Sequence, residues 1–260
     1  MESRLQFYEC QEERGFEQLA SAVSCLINVN LGWLLLLLFG TAAAGFFAQH
    51  HAGAPTSSAS AGQLADHGKA IHIYLVALFM DWALFYYCYA GVRSRGGTLA
   101  SLSAGRWTSA KDVLTDVAIA IPFWAVWEGV AYGVHYLLDL LNPMATAATV
   151  DSLLPKSLAE IILWILLCLT AGFCEEIAFR GYLQRQFHAL TGSIAIAVVL
   201  QGVVFGIAHG YQGWKNVVVI TALGLLYGVL AAWRRTLRVN MISHAWADAW
   251  EGWLKFILFH

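Results

Sequence analysis

Charge is the scarcest property of this 260-residue chain: Asp, Glu, Lys and Arg make up 12% of it, where soluble domains carry about 25%. So few ionic groups cannot keep in solution a chain that is 59% hydrophobic, which excludes an ordinary soluble domain. No block of like charge occurs and the formal net charge is -2, so no nucleic-acid partner is expected. The five cysteines, Cys10, Cys25, Cys88, Cys168 and Cys174, form no CxxC pair. Neither a disulfide nor a zinc framework is therefore expected, and buried cysteines read as small hydrophobes. Internal repeats of useful strength and an HExxH zinc stretch are also missing. The polar first twenty residues lack the basic start of a cleaved signal peptide, so the first apolar segment is expected to stay in the membrane.

What the chain has in quantity is apolar length. A spanning helix needs about 20 mainly apolar residues, and seven segments fit that template: Leu31 to Ala48, Ile71 to Val92, Val113 to Leu141, Leu158 to Cys174, Ile194 to Ala208, Val217 to Trp233 and Val239 to Phe259. The expected fold is an all-α polytopic membrane bundle of about seven helices, within six to eight, with the third segment long enough to tilt or break at Pro122. Eleven tryptophans and ten tyrosines suit rings placed at membrane interfaces. Gln49 to Ala70, rich in Gly, Ala, Ser and His, reads as an external loop, with His50, His51 and His67 solvated rather than metal-bound. Under seven spans, eleven Lys and Arg residues fall on the side of the N-terminus, against Lys69, Lys156, Lys215 and Lys255 on the other. This predicts a cytoplasmic N-terminus. Residues 1–20 read as a polar tail, 21–150 as N-terminal helices and 151–260 as the functional part.

Ionisable groups inside apolar spans cost a few kcal/mol each and mark function. Three elements after Asp151 carry them. Gly172-Phe-Cys-Glu-Glu-Ile-Ala-Phe-Arg180 sets Glu176 and Arg180 four apart on one helical face, where an ion pair forms, while Glu175 points about 100° away. The plainer reading is a snorkelling ladder at the membrane edge. Phe205-Gly-Ile-Ala-His209 ends the next span. Glu175 lies 17 residues before Gly192 and His209 lies 17 after it, so a hairpin turning near Thr191-Gly192 brings both to one level. His244-Ala-Trp-Ala-Asp248 places histidine and carboxylate on one face, with Glu251 at the polar rim. His244 lies close to the basic turn Arg234 to Arg238, whereas Glu175 lies far from its own turn. Helix offset or a re-entrant segment must reconcile the two depths.

Glu-Glu-x-x-x-Arg, Phe-x-x-x-His and His-x-x-x-Asp/Asn, in this order on successive membrane helices, resemble the signature of the CPBP family. That family includes the type II CAAX prenyl endopeptidases and the bacterial Abi proteins. The resemblance covers about Asp151 to His260. It implies an intramembrane endopeptidase in which Glu175 activates water, His209, His244 and Asp248 complete the site, and Glu176, Arg180 and Phe205 support it. Asp248 takes a position that is Asn in some relatives; it is open to metal binding, to orienting His244 or to protonation.

Two mechanisms stay open. Either Glu175 takes the proton of water without a metal, or Glu175, His209, His244 and Asp248 supply ligands for Zn2+. The expected partners are the lipid bilayer and a membrane-associated protein or peptide substrate, CAAX-like or otherwise, in a bacterial plasma membrane. A non-catalytic immunity or scaffold protein of the same fold is the rival reading, and a proton-coupled transporter a third. Against transport stands the sparse charge of the first three spans. There Asp81, Asp116, Glu128 and Asp139 read as interhelical hydrogen-bonding or interface residues.

Overall fold

The computed structural model describes residues 31–40, 59–142 apart from 95, 104 and 106, and 154–259. All of its described regular structure is helical. The order is α1 (Leu31–Gly40), α2 (Ala59–Arg93), α3 (Leu99–Ser103), α4 (Ala110–Leu141), α5 (Leu158–Glu175), a π-helical stretch (Glu176–Leu183), α6 (Gln184–Thr191), α7 (Ile194–Ala208), a 3-10 turn (Gly210–Gln212), α8 (Trp214–Arg234) and α9 (Arg238–Phe259). Four helices are long and apolar enough to cross a membrane: Gly68–Arg93, Ala110–Leu141, Leu158–Thr191 and Trp214–Arg234. Leu31–Gly40 and Ile194–Ala208 are shorter apolar helices, and α9 runs for 22 residues with a polar stripe.

Burial is inverted relative to a water-soluble protein. Glu176, Arg180 and Asp116 are at most 2% exposed, while Phe79 and Leu158 are 71% exposed. Apolar side chains turned outward and charges turned inward are what a lipid surround selects. The fold is therefore an all-α membrane bundle.

Local chemistry sets the helix ends. Ser157 and Ser193 accept hydrogen bonds from the main-chain N–H groups of Glu160 and Ile196, and Ser109 forms a reciprocal capping box with Asp112. These side chains satisfy donors that a helix start leaves open. Gly192 ends α6 at φ 67°, a left-handed conformation that glycine adopts without steric penalty. The hairpin thus turns where the sequence placed it.

Two expectations need correction. The stretch ahead of Ile71 is helical from Ala59 onward, because its Ala, Gln and Leu residues favour helix strongly enough to carry Gly62 and Gly68; residues 49–58 and the side chain of His67 lie outside the described parts. Nor does α4 break at Pro122, which sits inside a continuous helix. Proline removes only one main-chain donor, and neighbouring helices hold the rest in place.

Glycines let the functional helices approach. A Cβ on Gly172 of α5 would lie 2.8 Å from the Ala245 Cβ and 2.9 Å from the Met241 carbonyl oxygen of α9. A Cβ on Gly224 of α8 would lie 2.9 Å from the Gly202 Cα of α7. In the π-helical stretch, Gly181 abuts the Leu102 carbonyl and the Leu237 side chain. Residue 181 is therefore level with the start of α9, six residues beyond Glu175, and ten more helical residues follow before the turn at Gly192. That offset reconciles the depths of Glu175 and His244.

Candidate active site

The Glu-Glu-x-x-x-Arg segment lies where α5 gives way to the π-helical stretch, whose eight residues are all buried. Such stretches occur as single wide turns within α-helices, often at functional sites. Glu176 faces inward and is fully engaged. Its Oε1 accepts from Arg180 Nη1 at 2.9 Å and from His244 Nδ1 at 3.0 Å, and its Oε2 accepts from Asn240 Nδ2 at 3.1 Å. The expected Glu176–Arg180 pair is thus part of a larger buried network. Arg180 also lies over the rings of Phe205 at 4.3 Å and Tyr227 at 5.3 Å, so its charge is met by a carboxylate and two aromatic faces.

Glu175 is different. Its Oε2 is buried and has no hydrogen-bond partner, and it stands 3.9 Å from His244 Nε2. A carboxylate can only accept, so the His244–Glu176 bond uses the Nδ1 proton and leaves Nε2 directed at Glu175. Asp248 Oδ2 lies 3.4 Å from the same Nε2. Of the roles open to Asp248, orienting His244 through Nδ1 belongs instead to Glu176, and Asp248 shares the Nε2 side with Glu175. The Asp248 carbonyl accepts from Trp164 Nε1 at 2.9 Å, which ties this turn of α9 to α5.

His209 caps α7. Its Nδ1 lies 2.8 Å from the Phe205 carbonyl oxygen, an acceptor, so Nδ1 donates and Nε2 is left for other partners. The Phe205 ring lies 4.8 Å from the imidazole of His209 and 6.2 Å from that of His244. The structure therefore joins Glu175, Glu176, Arg180, His244 and Asp248 directly and sets His209 beyond Phe205, with no hydrogen bond or ion pair between His209 and Glu175. Tyr211 follows in the 3-10 turn, its ring 6.1 Å from that of His209. Glu251 is exposed, in keeping with a rim position.

Among the described residues, no group of three or more His, Cys, Asp or Glu side chains is arranged to hold a metal ion. Each imidazole holds its Nδ1 against an acceptor, the Phe205 carbonyl for His209 and the Glu176 carboxylate for His244, and keeps Nε2 open, the orientation in which a histidine can also serve as a metal ligand.

Three contributors were not legible as site residues. Asn240 donates to both Glu176 and the Tyr227 carbonyl, the latter at 2.8 Å; it lies four residues before His244, so extending the His-x-x-x-Asp spacing one step backward would have found it. Tyr227 offered no signal, because its ring serves through stacking on His244 at 5.5 Å and on Arg180. Asp81, read as an interface residue, lies within electrostatic reach of Glu175, His244 and Asp248. Of the other three acids of the early spans, Asp116 and Asp139 pair across helices as expected, while Glu128 bonds within its own helix. Asp116 pairs with Arg234 and Arg238, Asp139 pairs with Lys215, and Glu128 accepts from Trp124 Nε1.

Beside the site, α5 and α9 border an apolar groove of about 950 Å³ whose walls include Leu169, Phe173, Ala245 and Trp250. Phe173 connects it to α2 through the rings of Trp82 and Phe85.

The fold defines the class: an all-α membrane bundle that holds acidic and histidine side chains together in its interior. Within that class, residues 157–250 match the model of the family described as Rce1-like, type II CAAX prenyl endopeptidase. That segment is similar to the CPBP intramembrane proteases, in the place where the three motifs implied the likeness. Comparison with curated proteins and with solved structures gives no match.

Proposed function

We propose that this chain is an intramembrane endopeptidase that hydrolyses a peptide bond of a membrane-associated protein or peptide, CAAX-like in form, by a metal-free route centred on Glu175. The observation that carries the reading is the Glu175 Oε2, buried without a hydrogen-bond partner and 3.9 Å from a histidine nitrogen. A buried acceptor left unsatisfied is costly, and a water molecule that fills the gap is held by the group best placed to deprotonate it.

The steps balance as follows. The oxygen of that water attacks the scissile carbonyl carbon while Glu175 takes its proton. The carbonyl oxygen becomes an oxyanion, for which His244 is the donor as an imidazolium, its Nδ1 proton held by Glu176 and its Nε2 proton given to the oxyanion. Collapse breaks the C–N bond, and the proton held by Glu175 passes to the departing amine. His209 presents Nε2 as an acceptor for the scissile N–H. The apolar groove gives a lipid-attached or hydrophobic segment a place beside the scissile bond.

The test is cleavage of a farnesylated CAAX peptide and its unprenylated counterpart by purified protein. Glu175→Gln is expected to lower kcat by roughly 100-fold or more, and His209→Ala by about tenfold or more. Chelation is expected to leave activity intact. Full activity in both variants overturns the assignment, and activity lost on chelation and restored by Zn2+ replaces the metal-free route with a metal-dependent one.

A further inference from the structure

Each of the three motifs has a buried amide four residues from its end. Gln184 follows Glu176 and Arg180, Gln201 precedes Phe205 and His209, and Asn240 precedes His244 and Asp248. All three amides donate to main-chain carbonyls of α8, a helix that holds no motif residue. Gln184 Nε2 reaches the Gly228 oxygen at 3.1 Å, Gln201 Nε2 the Gly224 oxygen at 2.7 Å, and Asn240 Nδ2 the Tyr227 oxygen at 2.8 Å. Glycine makes the approach possible: a Cβ on Gly228 would run into the Gln201 amide nitrogen, and one on Gly202 would lie 2.8 Å from the Leu225 side chain of α8. Gln201 stands apart from the other two because of what shares its carbonyl. Arg180 Nη2 faces the same Gly224 oxygen from 3.4 Å, while Arg180 Nη1 donates to Glu176 Oε1 at 2.9 Å, and that oxygen also holds His244 Nδ1 at 3.0 Å. A continuous line of hydrogen bonds therefore joins Gln201 to the imidazole of His244.

We propose that Gln201 is a positioning residue of the hydrolytic site, acting through Arg180 and Glu176 on His244. The inference rests on the endopeptidase reading. Two donors compete for the Gly224 carbonyl, and the neutral amide holds the short bond while the guanidinium is left with the long one. Charge-assisted hydrogen bonds are roughly twice as strong as neutral ones, so a Gly224 carbonyl released by the amide draws Arg180 toward itself and away from Glu176. Glu176 Oε1 is shared by Arg180 and His244, and a shift of the guanidinium moves the carboxylate that orients the imidazole toward Glu175. Gln201 contributes donors and nothing else. Its second N–H goes to the Val198 carbonyl at 3.2 Å, and its Oε1 is buried with no hydrogen-bond partner. Packing alone is served better by an apolar side chain, because a buried amide oxygen left unsatisfied is costly.

The experiment compares Gln201→Met, which keeps the length and removes the donors, and Gly228→Ala, which displaces the amide without altering it, with the unaltered chain and with Glu175→Gln. Folding is checked by thermal unfolding in detergent, and either folded variant serves. Cleavage of the farnesylated CAAX peptide is measured per folded molecule. The Nδ1 protons of His244 and His209 are followed by NMR in histidine-labelled protein, each assigned by its loss when that histidine is replaced by Gln. The variants are expected to lose about tenfold in kcat with KM within about twofold, and the His244 resonance is expected to move. The His209 resonance is expected to stay, because its Nδ1 bonds the Phe205 carbonyl within its own helix. Unchanged kcat or an unmoved His244 resonance in a folded variant overturns the proposal, while an inactive Glu175→Gln beside it leaves the endopeptidase reading standing. A change at His209 as large as that at His244 also overturns it, since a packing defect in α7 reaches the histidine of α7 first. Full activity in Glu175→Gln removes both.

Discussion

Glu175 and Glu176 are neighbours in sequence with opposite energetic roles. Glu176 anchors a buried network: Arg180, Asn240 and His244 all donate to it. Removing its charge leaves the Arg180 guanidinium buried with only ring faces and a carbonyl for company. Breaking a buried pair from one side costs roughly 3–5 kcal/mol, so Glu176→Gln is expected to lower the unfolding midpoint markedly in detergent. Glu175→Gln replaces a carboxylate oxygen that has no hydrogen bond to lose and is expected to change stability by less than about 1 kcal/mol while abolishing turnover. Unfolding curves for the two variants, set beside their activities, check this; a larger stability loss in Glu175→Gln than in Glu176→Gln contradicts the division of labour. The ion pair was legible, since a spacing of four fixes a shared helical face. The role of each Glu176 oxygen was not, because Asn240 and His244 arrive from a helix more than sixty residues away, and sequence spacing carries no information about lateral contacts between helices.

At the scale of elements, the three motifs meet because small residues allow helices to come close. Gly172 faces the backbone of α9 at the Met241–Ala245 turn, one turn ahead of Glu175 and directly beside His244. A β-branched side chain there must push α5 and α9 apart. Gly172→Val is expected to cost about 1–3 kcal/mol in stability, and the separation acts on the 3.9 Å Glu175–His244 spacing. Misplacement of reacting groups by about 1 Å can cost on the order of 100-fold in rate. The variant should therefore lose kcat by more than its folded fraction explains, which activity per folded molecule measures; a loss no greater than the folded fraction refutes the geometric role. The apolar segments and the turn at Gly192 were readable from hydropathy and from glycine's backbone freedom. The π-helical stretch was not, since nothing in the residue types of Glu176 to Leu183 distinguishes a widened turn from an ordinary α-helical one. Helix continuity at Pro122 and from Ala59 escaped for a related reason, because local breaker signals yield to neighbouring helices.

For the molecule as a whole, two layers of ion pairs mark off the thickness of a membrane. In one, Asp116 of α4 meets Arg234 and Arg238 at the α8–α9 turn at 3.1 and 2.9 Å, with Trp107 donating to the same carboxylate at 3.0 Å. In the other, Asp139 near the far end of α4 meets Lys215 at the start of α8 at 2.6 Å. The separation of 23 positions between the two acids of α4 spans about 35 Å of helix, close to the roughly 30 Å of a hydrocarbon core with its margins. His244 lies six residues beyond Arg238 along α9, which is about 9 Å in from the arginine layer. The site therefore sits inside the apolar slab but nearer the arginine-rich face, a depth that suits cleavage of a chain anchored at that surface. Because arginine and lysine are retained on the cytoplasmic side, the arginine layer is expected to face the cytoplasm and Lys156 the opposite side. Single cysteines at Thr108 and Lys156, both exposed, read this out when the native cysteines are replaced. A membrane-impermeant maleimide added to intact cells should label the cysteine at 156 and reach the one at 108 only after lysis. Labelling of both from outside would break the link between the ion-pair layers and the two membrane faces, and labelling of 108 alone would invert the bundle and place the site on the external side.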